Sequence, residues 1–182
     1  EDTFHTLLRK KIAIQFEYLR EQTQTQQFTP ELAQRIADGC YSKVIETLGT
    51  SRGIVEELAS EYPMVLVTNF YGNMPVVLNE FGLANIFSSI VESSVVGIRK
   101  PDPALFAMGI KALCLQANEV VVIGDSYRKD IYPSASLGCK TVWLKNICWE
   151  EESIEEPHSP TAIIDDIRLV PDIIRALNSQ EP

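Results

Sequence analysis

Hydrophobic residues follow two different patterns along the 182-residue chain. In residues 1–50 they recur at helical spacing in two stripes, which a polar run at residues 22–27 separates. Thr29-Pro30-Glu31 combines the capping hydroxyl, proline and acid that typically begin a helix, and Gly49 is predicted to end it. The first fifty residues are therefore predicted to be helical.

From residue 51 onward, short apolar runs alternate with amphipathic segments. Strands are predicted at residues 64–67, 89–92, 120–123, 141–144 and 162–164. Strands that are continuously apolar are typical of a parallel sheet covered by helices on both faces. The pattern therefore predicts an α/β fold for residues 51–182.

Composition and charge narrow the classes of partner. The chain is 45% hydrophobic and 23% charged, which is ordinary for a globular protein. Its 16 basic and 25 acidic residues give a net charge of -9 with no basic stripe, so no nucleic-acid partner is predicted. No apolar run approaches the roughly 20 residues of a membrane span, so no membrane partner is predicted either. The sequence gives no indication of oligomeric state.

The N-terminus, the cysteines and an acidic stretch indicate the cellular compartment and one surface loop. No signal peptide is visible at the N-terminus, which favours a cytoplasmic location. The four cysteines form no CxxC pair and lie among apolar residues, so they are predicted to be reduced and mostly buried. Residues 150–156 contain five glutamates and are predicted to form a solvated loop, with a metal or partner role as the alternative.

Polar residues follow two of the predicted strands at the point where each strand ends. Thr68 and Asn69 follow one, and Asp125 and Ser126 follow another, with Asp130 a turn later. Ligands of open parallel sheets bind beyond the carboxyl ends of the strands. Each pair also has an ordinary interpretation as a helix cap.

Lys100 precedes a predicted helix start and adds a cation to this set, although taken alone it is more simply interpreted as a solvated surface lysine. A hydroxyl, an amide, a cation, backbone N–H donors and a carboxylate together suit a phosphate group and Mg²⁺. The candidate chemistry is therefore phosphate binding with a metal ion.

Three segments carry a family resemblance. They are Leu66-Val67-Thr68-Asn69, then Gly97-Ile98-Arg99-Lys100-Pro101-Asp102-Pro103, and then Val122-Ile123-Gly124-Asp125-Ser126 followed by Asp130. In order and spacing they resemble motifs II, III and IV of the haloacid dehalogenase (HAD) superfamily, over about residues 50–170. The resemblance implies a Rossmann-like α/β core in residues 51–182, preceded by part of a C1-type helical cap in residues 1–50.

The resemblance also implies roles for the motif residues. Thr68 and the backbone at Asn69 would bind the phosphoryl group, and Lys100 would neutralise it. Asp125 would ligate Mg²⁺, Asp130 would support the metal or Lys100, and Ser126 is a further candidate ligand. The implied activity is a Mg²⁺-dependent phosphatase acting on a small phosphorylated metabolite, with phosphomutase or dehalogenase chemistry as alternatives.

One family motif has no counterpart in this sequence. HAD enzymes begin with Asp-x-Asp on the central strand, and the first aspartate becomes phosphorylated. Asp2, Asp38 and the Asp165-Asp166 pair do not reproduce that motif in its place after an early strand. The first central strand is therefore predicted to be missing, and the chain as given is predicted to be inactive.

Two explanations for the missing strand remain open. The sequence is either a truncated part of a longer protein with the nucleophile outside it, or a non-catalytic relative that binds a phosphate ligand or a protein. The missing strand would lie between those ending at Thr68 and Asp125, and unpaired buried backbone groups each cost about 1–3 kcal/mol. We therefore expect that another segment fills the gap or that the isolated chain is unstable.

Overall fold

The computed structural model describes residues 2–24, 27–145 and 158–179. The chain divides into two compact units. The first comprises Glu1–Arg52 and Asn73–Ala84, and the second comprises Gly53–Gly72 and Asn85–Pro182.

The first unit contains helices α1 (Phe4–Thr23) and α3 (Met74–Glu80) and the part of α2 (Pro30–Glu61) up to Arg52. The predicted cap of α2 is confirmed, because the Thr29 hydroxyl accepts a hydrogen bond from the backbone N–H of Leu32 at 3.2 Å. Apolar side chains at helical spacing form the small core of this unit: Ile12, Ala33 and Ala37, flanked by Leu8 and Phe16. The prediction that the first fifty residues are helical is thereby confirmed for the residues described.

The predicted end of α2 at Gly49 is wrong, since the helix continues to Glu61. A glycine inside a helix costs about 1 kcal/mol relative to alanine, which is a weak signal for ending it. Beyond Gly49 the helix contributes Leu58 to a buried cluster. Packing of this later segment outweighs the unfavourable propensity of one glycine.

The second unit contains five strands in two parallel sheets. The strands are β1 (Val65–Thr68), β2 (Ser89–Glu92), β3 (Val121–Gly124), β4 (Lys140–Leu144) and β5 (Ala162–Ile164). One sheet is β1–β2 and the other has the order β3–β4–β5. The predicted α/β fold with parallel strands is confirmed, and all five predicted strands are present within one residue of their expected bounds.

Helices and a central strand bury the core of the second unit. The helices are α4 (Ser93–Val96), α5 (Pro103–Leu113), α6 (Tyr132–Ser136) and α7 (Val170–Asn178), besides the end of α2. The main cluster joins α2, β4, β5 and α7 through Leu58, Val142, Ile164, Val170 and Ile174. A second cluster joins Tyr127 and Ile131 to Trp143 of β4. The strand β4 therefore packs on both of its faces.

The prediction of mostly buried cysteines is wrong for two of the three cysteines that the structure describes. Cys40 and Cys114 are exposed, and Cys139 is buried; all three are free thiols. Cys40 lies on an outward face of α2, and Cys114 caps the C-terminal end of α5 in a left-handed conformation. Apolar sequence neighbours do not decide burial, because side chains one position apart on a helix face different directions.

Two further expectations concern long or acidic segments. Within residues 2–24, 27–145 and 158–179, the helices lack the combination of length and apolarity that crossing a membrane requires. The acidic stretch at residues 150–156, and Cys148 beside it, lie outside the described residues.

Candidate active site

The predicted site residues converge on the carboxyl ends of two strands of the second unit. Thr68 is the last residue of β1, and Asn69 follows it. Gly124 is the last residue of β3, and Asp125 and Ser126 follow it. Lys100 connects the two strand ends through the contacts described below.

The Asn69 amide holds the Lys100 loop by two hydrogen bonds. Its Oδ1 accepts from the Lys100 backbone N–H at 2.9 Å, and its Nδ2 donates to the Lys100 carbonyl at 3.2 Å. A primary amide offers both a donor and an acceptor, so one side chain satisfies both backbone groups of a loop residue. Asn69 therefore fixes the backbone from which the Lys100 side chain extends.

The Lys100 ammonium reaches the end of the other strand. Its Nζ donates to Asp130 Oδ1 at 2.7 Å, and the two side chains are only 15% and 8% exposed. The same Nζ lies 5.3 Å from the centroid of the Phe106 ring, within the range of a cation–π contact. A charge pair with so little exposure is shielded from salt and water, and its geometry is fixed on both sides.

Asp130 is positioned by the residues that follow β3. The backbone N–H of Ser126 donates to Asp130 Oδ2 at 3.2 Å, and Asp130 lies in a single π-helical turn, Tyr127–Ile131. Such turns are rare and frequently occur at functional sites. A Cβ atom at Gly124 would lie 2.3 Å from Asp130 Cβ, so only glycine allows this close approach.

Asp125 offers its side chain to solvent while its backbone is anchored. The Trp143 indole Nε1 donates to the Asp125 carbonyl oxygen at 3.1 Å. Asp125 itself is an exposed residue. Trp143 is 1% exposed, so a buried ring of β4 holds the backbone that presents this carboxylate.

The donor set fits a partial magnesium site. No group of three or more His, Cys, Asp or Glu side chains suited to a metal occurs among the described residues. Asp125 is the exposed carboxylate at this strand end, whereas Asp130 is buried and binds Lys100 and Ser126. Protein Mg²⁺ sites commonly use one or two carboxylates together with waters and substrate phosphate oxygens. Asp125 fits one such position, and the remaining protein oxygens would have to come from elsewhere.

Two residues that sequence reasoning missed hold the loop after β1. Ser93 Oγ accepts from the backbone N–H of Phe70 at 3.2 Å, and Glu92 accepts a short hydrogen bond from the backbone N–H of Gly72. Both residues are buried at the carboxyl end of β2. In the sequence, the signal that could have indicated these two residues was their position: Glu92 and Ser93 follow the apolar part of a predicted strand.

The three nucleophile candidates considered from the sequence do not follow β1 or β3: Asp2 and Asp38 belong to the first unit, and Asp165-Asp166 follow β5. Asp2 binds Lys10 through both carboxylate oxygens at 2.8 Å. In the first unit, hydrogen bonds from His5 and then Arg9 lower the pKa of Asp38. Asp165 follows β5, and hydrogen bonds from the Arg168 side chain lower the pKa of its neighbour Asp166 to about 2. These carboxylates are held in ion pairs or belong to other parts of the fold.

The sequence profile of the haloacid dehalogenase-like hydrolases matches residues 1–144. Among curated relatives, a phosphoglycolate phosphatase of Pectobacterium atrosepticum is 32% identical over 131 residues, covering 69% of this chain and 52% of that protein. A glyceraldehyde 3-phosphate phosphatase of Pyrococcus furiosus is 26% identical over 99 residues, covering 54% of this chain and 41% of that protein. The chain thus spans about half the length of these relatives.

A solved structure has a similar fold. A HAD-type hydrolase of Bacillus subtilis, crystallised with magnesium bound, superimposes with a TM-score of 0.59 at 17% identity, covering 96% of this chain and 82% of that one. At this identity the match concerns the fold alone. It agrees with the parallel strands and surrounding helices of the second unit.

Proposed function

The chain belongs to the haloacid dehalogenase-like hydrolase family, and from this premise we propose that its second unit carries the phosphate-binding half of a Mg²⁺-dependent phosphatase site. The substrate class is a small phosphomonoester. The nucleophile is an aspartate outside these 182 residues. The proposal rests on one observation above all: Lys100 is held between Asn69 and Asp130 at the strand ends.

Each residue has a distinct task in this proposal. The Thr68 hydroxyl and the backbone N–H of Asn69 bind the phosphoryl oxygens. The Lys100 ammonium neutralises developing negative charge, and its pairing with Asp130 holds it in place before substrate arrives. Preorganised charge of this kind lowers the barrier because no group has to reorient during phosphoryl transfer.

Asp125 is the proposed metal ligand, with Ser126 as a weaker candidate. A bound Mg²⁺ would supply further positive charge to the phosphate. Asp130 is assigned to holding Lys100, because its Oδ1 accepts from the Lys100 ammonium at 2.7 Å. Its two hydrogen bonds leave a lone pair on each oxygen, so the metal role that the family resemblance implies for Asp130 is kept beside it.

The remaining features of the proposal concern the whole protein. Residues 1–50 are proposed as part of the helical cap and residues 51–182 as the α/β core. A cytoplasmic location and a small phosphorylated metabolite as substrate are proposed, in line with the phosphatases among the relatives. No nucleic-acid or membrane partner is proposed.

The test is hydrolysis of p-nitrophenyl phosphate with Mg²⁺ by a version of the chain extended with an apolar strand that ends in Asp-x-Asp. Lys100→Ala and Asp125→Ala should each lower kcat by about 100-fold or more, the typical effect of losing one charge-stabilising group. Lys111→Ala is the control for Lys100→Ala, and Asp172→Asn is the control for Asp125→Ala. Each control removes an exposed charge of the same sign as the residue it is matched to, and should leave the rate unchanged. Equal rates in all five proteins would refute the proposal.

A second candidate function is a non-catalytic phosphate-binding relative. The observation that favours it is the absence of Asp-x-Asp from the 182 residues. Magnesium-dependent turnover by the chain as given would exclude this alternative. Phosphate binding by the extended chain without turnover would favour it.

A further inference from the structure

Two adjacent aromatic residues lie on the loop that follows β1. Phe70 and Tyr71 come directly after Asn69, and α3 begins three residues after Tyr71. Successive Cα atoms are about 3.8 Å apart, so the Tyr71 Cα lies at most about 11 Å from the Thr68 Cα. The organic part of a substrate bound through its phosphate at Thr68 would therefore lie close to these two rings.

The two rings pack against each other, and the second ring remains open to solvent. Their centroids lie 5.1 Å apart at an interplanar angle of 65°, which is the edge-to-face arrangement that aromatic pairs favour. Phe70 is half-buried, whereas Tyr71 is 60% exposed. Phe70 thus supports the Tyr71 ring and leaves much of its surface accessible. We call Phe70 and Tyr71 the aromatic platform.

Buried groups at the carboxyl end of β2 fix the backbone of the aromatic platform. Ser93 Oγ accepts from the Phe70 N–H at 3.2 Å, and Glu92 accepts from the Gly72 N–H. The two acceptor residues are only 8% and 3% exposed. Gly72 has a φ of +96°, which glycine adopts without steric cost, so the chain can turn directly after Tyr71. Tyr71 is therefore held between two anchored neighbours.

An exposed tyrosine is by itself ordinary, because folded proteins leave much apolar surface in contact with water. Tyr18, on α1 of the first unit, is 61% exposed. Tyr71 differs from it by following Thr68 within three positions, on a loop whose backbone is anchored. A ring on an anchored loop loses little conformational freedom when a ligand packs on it, so its position favours contact with the substrate.

The chemistry of the aromatic platform favours an uncharged planar group. Neither ring carries a charge, and a second aromatic ring packs well against the face or edge of the first. The net charge of -9 opposes a second acidic group on the substrate. The Lys100 ammonium, which would attract such a group, is already paired with Asp130.

We propose that the aromatic platform binds the organic part of the substrate and that Tyr71 determines specificity. Phosphomonoesters that carry an aromatic ring are then preferred over the phosphorylated forms of short carboxylic acids. The inference deepens the proposed function and rests on it for the position of the phosphoryl group. Tyr71 takes no part in phosphoryl transfer, and its contribution is confined to binding the organic group.

The test uses phosphonates, which resemble phosphate esters but are not hydrolysed. The intact 182-residue chain is titrated with phenylphosphonate, methylphosphonate or phosphonoacetate in the presence of Mg²⁺, and NMR follows the amide signals of Thr68 and Asn69. We expect the Kd of phenylphosphonate to be about threefold to tenfold lower than that of the other two, the range expected for one aromatic contact. Equal Kd values, or tightest binding of phosphonoacetate, would overturn the assignment.

Three substitutions locate the preference. Tyr71→Ala should raise the Kd of phenylphosphonate to that of methylphosphonate, whereas Tyr71→Phe should keep the preference because the ring and not the hydroxyl packs on the ligand. Tyr18→Ala is the matched control, since it removes an equally exposed tyrosine from the first unit, and it should keep the preference. An undiminished preference in Tyr71→Ala would overturn the role of Tyr71.

Specificity and catalysis are measured separately. In the extended chain, Tyr71→Ala should lower kcat/KM for phenyl phosphate by about threefold to tenfold and leave that for methyl phosphate unchanged. Lys100→Ala should lower both. Shifts at Thr68 and Asn69 with equal Kd values would overturn the aromatic platform alone. Absence of these shifts with every phosphonate would overturn the phosphate site itself, and the platform with it.

Discussion

The strand β4 and the strands β1 and β3 are similarly apolar in sequence but differ in their surroundings. β4 pairs with β3 on one side and β5 on the other, and its residues Thr141, Val142 and Trp143 are at most 1% exposed. Among the described residues β1 and β3 each pair on one side, and Ile123 of β3 is 40% exposed. The difference shows that similarly apolar strands of one unit need not be equally buried.

The same comparison locates the candidate chemistry. Thr68 ends β1 and Asp125 follows β3, whereas β4 contributes the Trp143 indole, which holds the Asp125 backbone. Lys100 connects β1 and β3 at their carboxyl ends. The buried strand β4 thus supports the site, and the site residues follow or end the more exposed strands β1 and β3.

The largest expected effect comes from removing the buried ring of β4. Trp143→Ala should lower the free energy of unfolding by about 3–5 kcal/mol, because it leaves a large cavity and removes the donor to the Asp125 carbonyl. Urea unfolding followed by circular dichroism measures the loss.

The same substitution at two valines, one on β4 and one on β3, compares the packing of the two strands without a change of residue type. Val142→Ala, at a position with 0% exposure, should cost about 1–3 kcal/mol. Val121→Ala, on the half-exposed strand β3, should cost less than about 1 kcal/mol. Equal losses would mean that the two strands are packed alike.

The next effect concerns the charge pair that connects β1 and β3. Asp130→Asn leaves the Lys100 ammonium, 15% exposed, without its counter-ion and should destabilise the fold by about 2–3 kcal/mol. Adding Lys100→Met to this variant removes the unpaired charge and should recover part of the loss. Thermal unfolding of the single and double variants measures both changes; a double variant less stable than Asp130→Asn would contradict the assignment.

A smaller effect is expected from adding one methyl group at the end of β3. Gly124→Ala brings Cβ to 2.3 Å from Asp130 Cβ and should cost about 1–3 kcal/mol through overpacking. Gly53→Ala is the control, since no atom lies within 4 Å of its added Cβ in α2, and it should raise stability by about 0.5–1 kcal/mol. A neutral Gly124→Ala would show that Asp130 is free to move away from β3.

Sequence patterns predicted most of the second unit because its signals are local. Continuous apolar runs bounded by polar residues are sufficient to place the five strands, and Asp102-Pro103 is sufficient to begin α5, where Asp102 accepts from the Ala104 N–H. The end of α2 was missed because one glycine carries little energy compared with the packing of Leu58 further along.

The candidate site was predictable in its members but not in its pairings. Thr68, Asn69, Lys100 and Asp130 were singled out by strand-end position and motif order. The hydrogen bonds between Asn69 and the Lys100 backbone join two segments that are 31 residues apart in the sequence. The contacts of Glu92 and Trp143 depend on which strands are neighbours in the sheets. Such contacts follow from tertiary packing, which a local pattern does not encode.

The smallest expected effect concerns thiol reactivity, which should differ between the buried Cys139 and exposed cysteines. Cys139, just before β4, is 8% exposed, and burial raises the pKa of its thiol to about 11. A raised pKa means that the fold favours the neutral thiol, so this contribution to stability is complete below pH 9.0 and is lost as pH rises towards 11. At pH 8, Cys139 should react with iodoacetamide about 100-fold more slowly than the exposed Cys40 and Cys114. Ile123→Cys, in a variant with Cys148→Ser, should instead react at the rate of the exposed cysteines because Ile123 is 40% exposed. Slow reaction at this position, matching that of Cys139, would contradict the exposure of this part of β3.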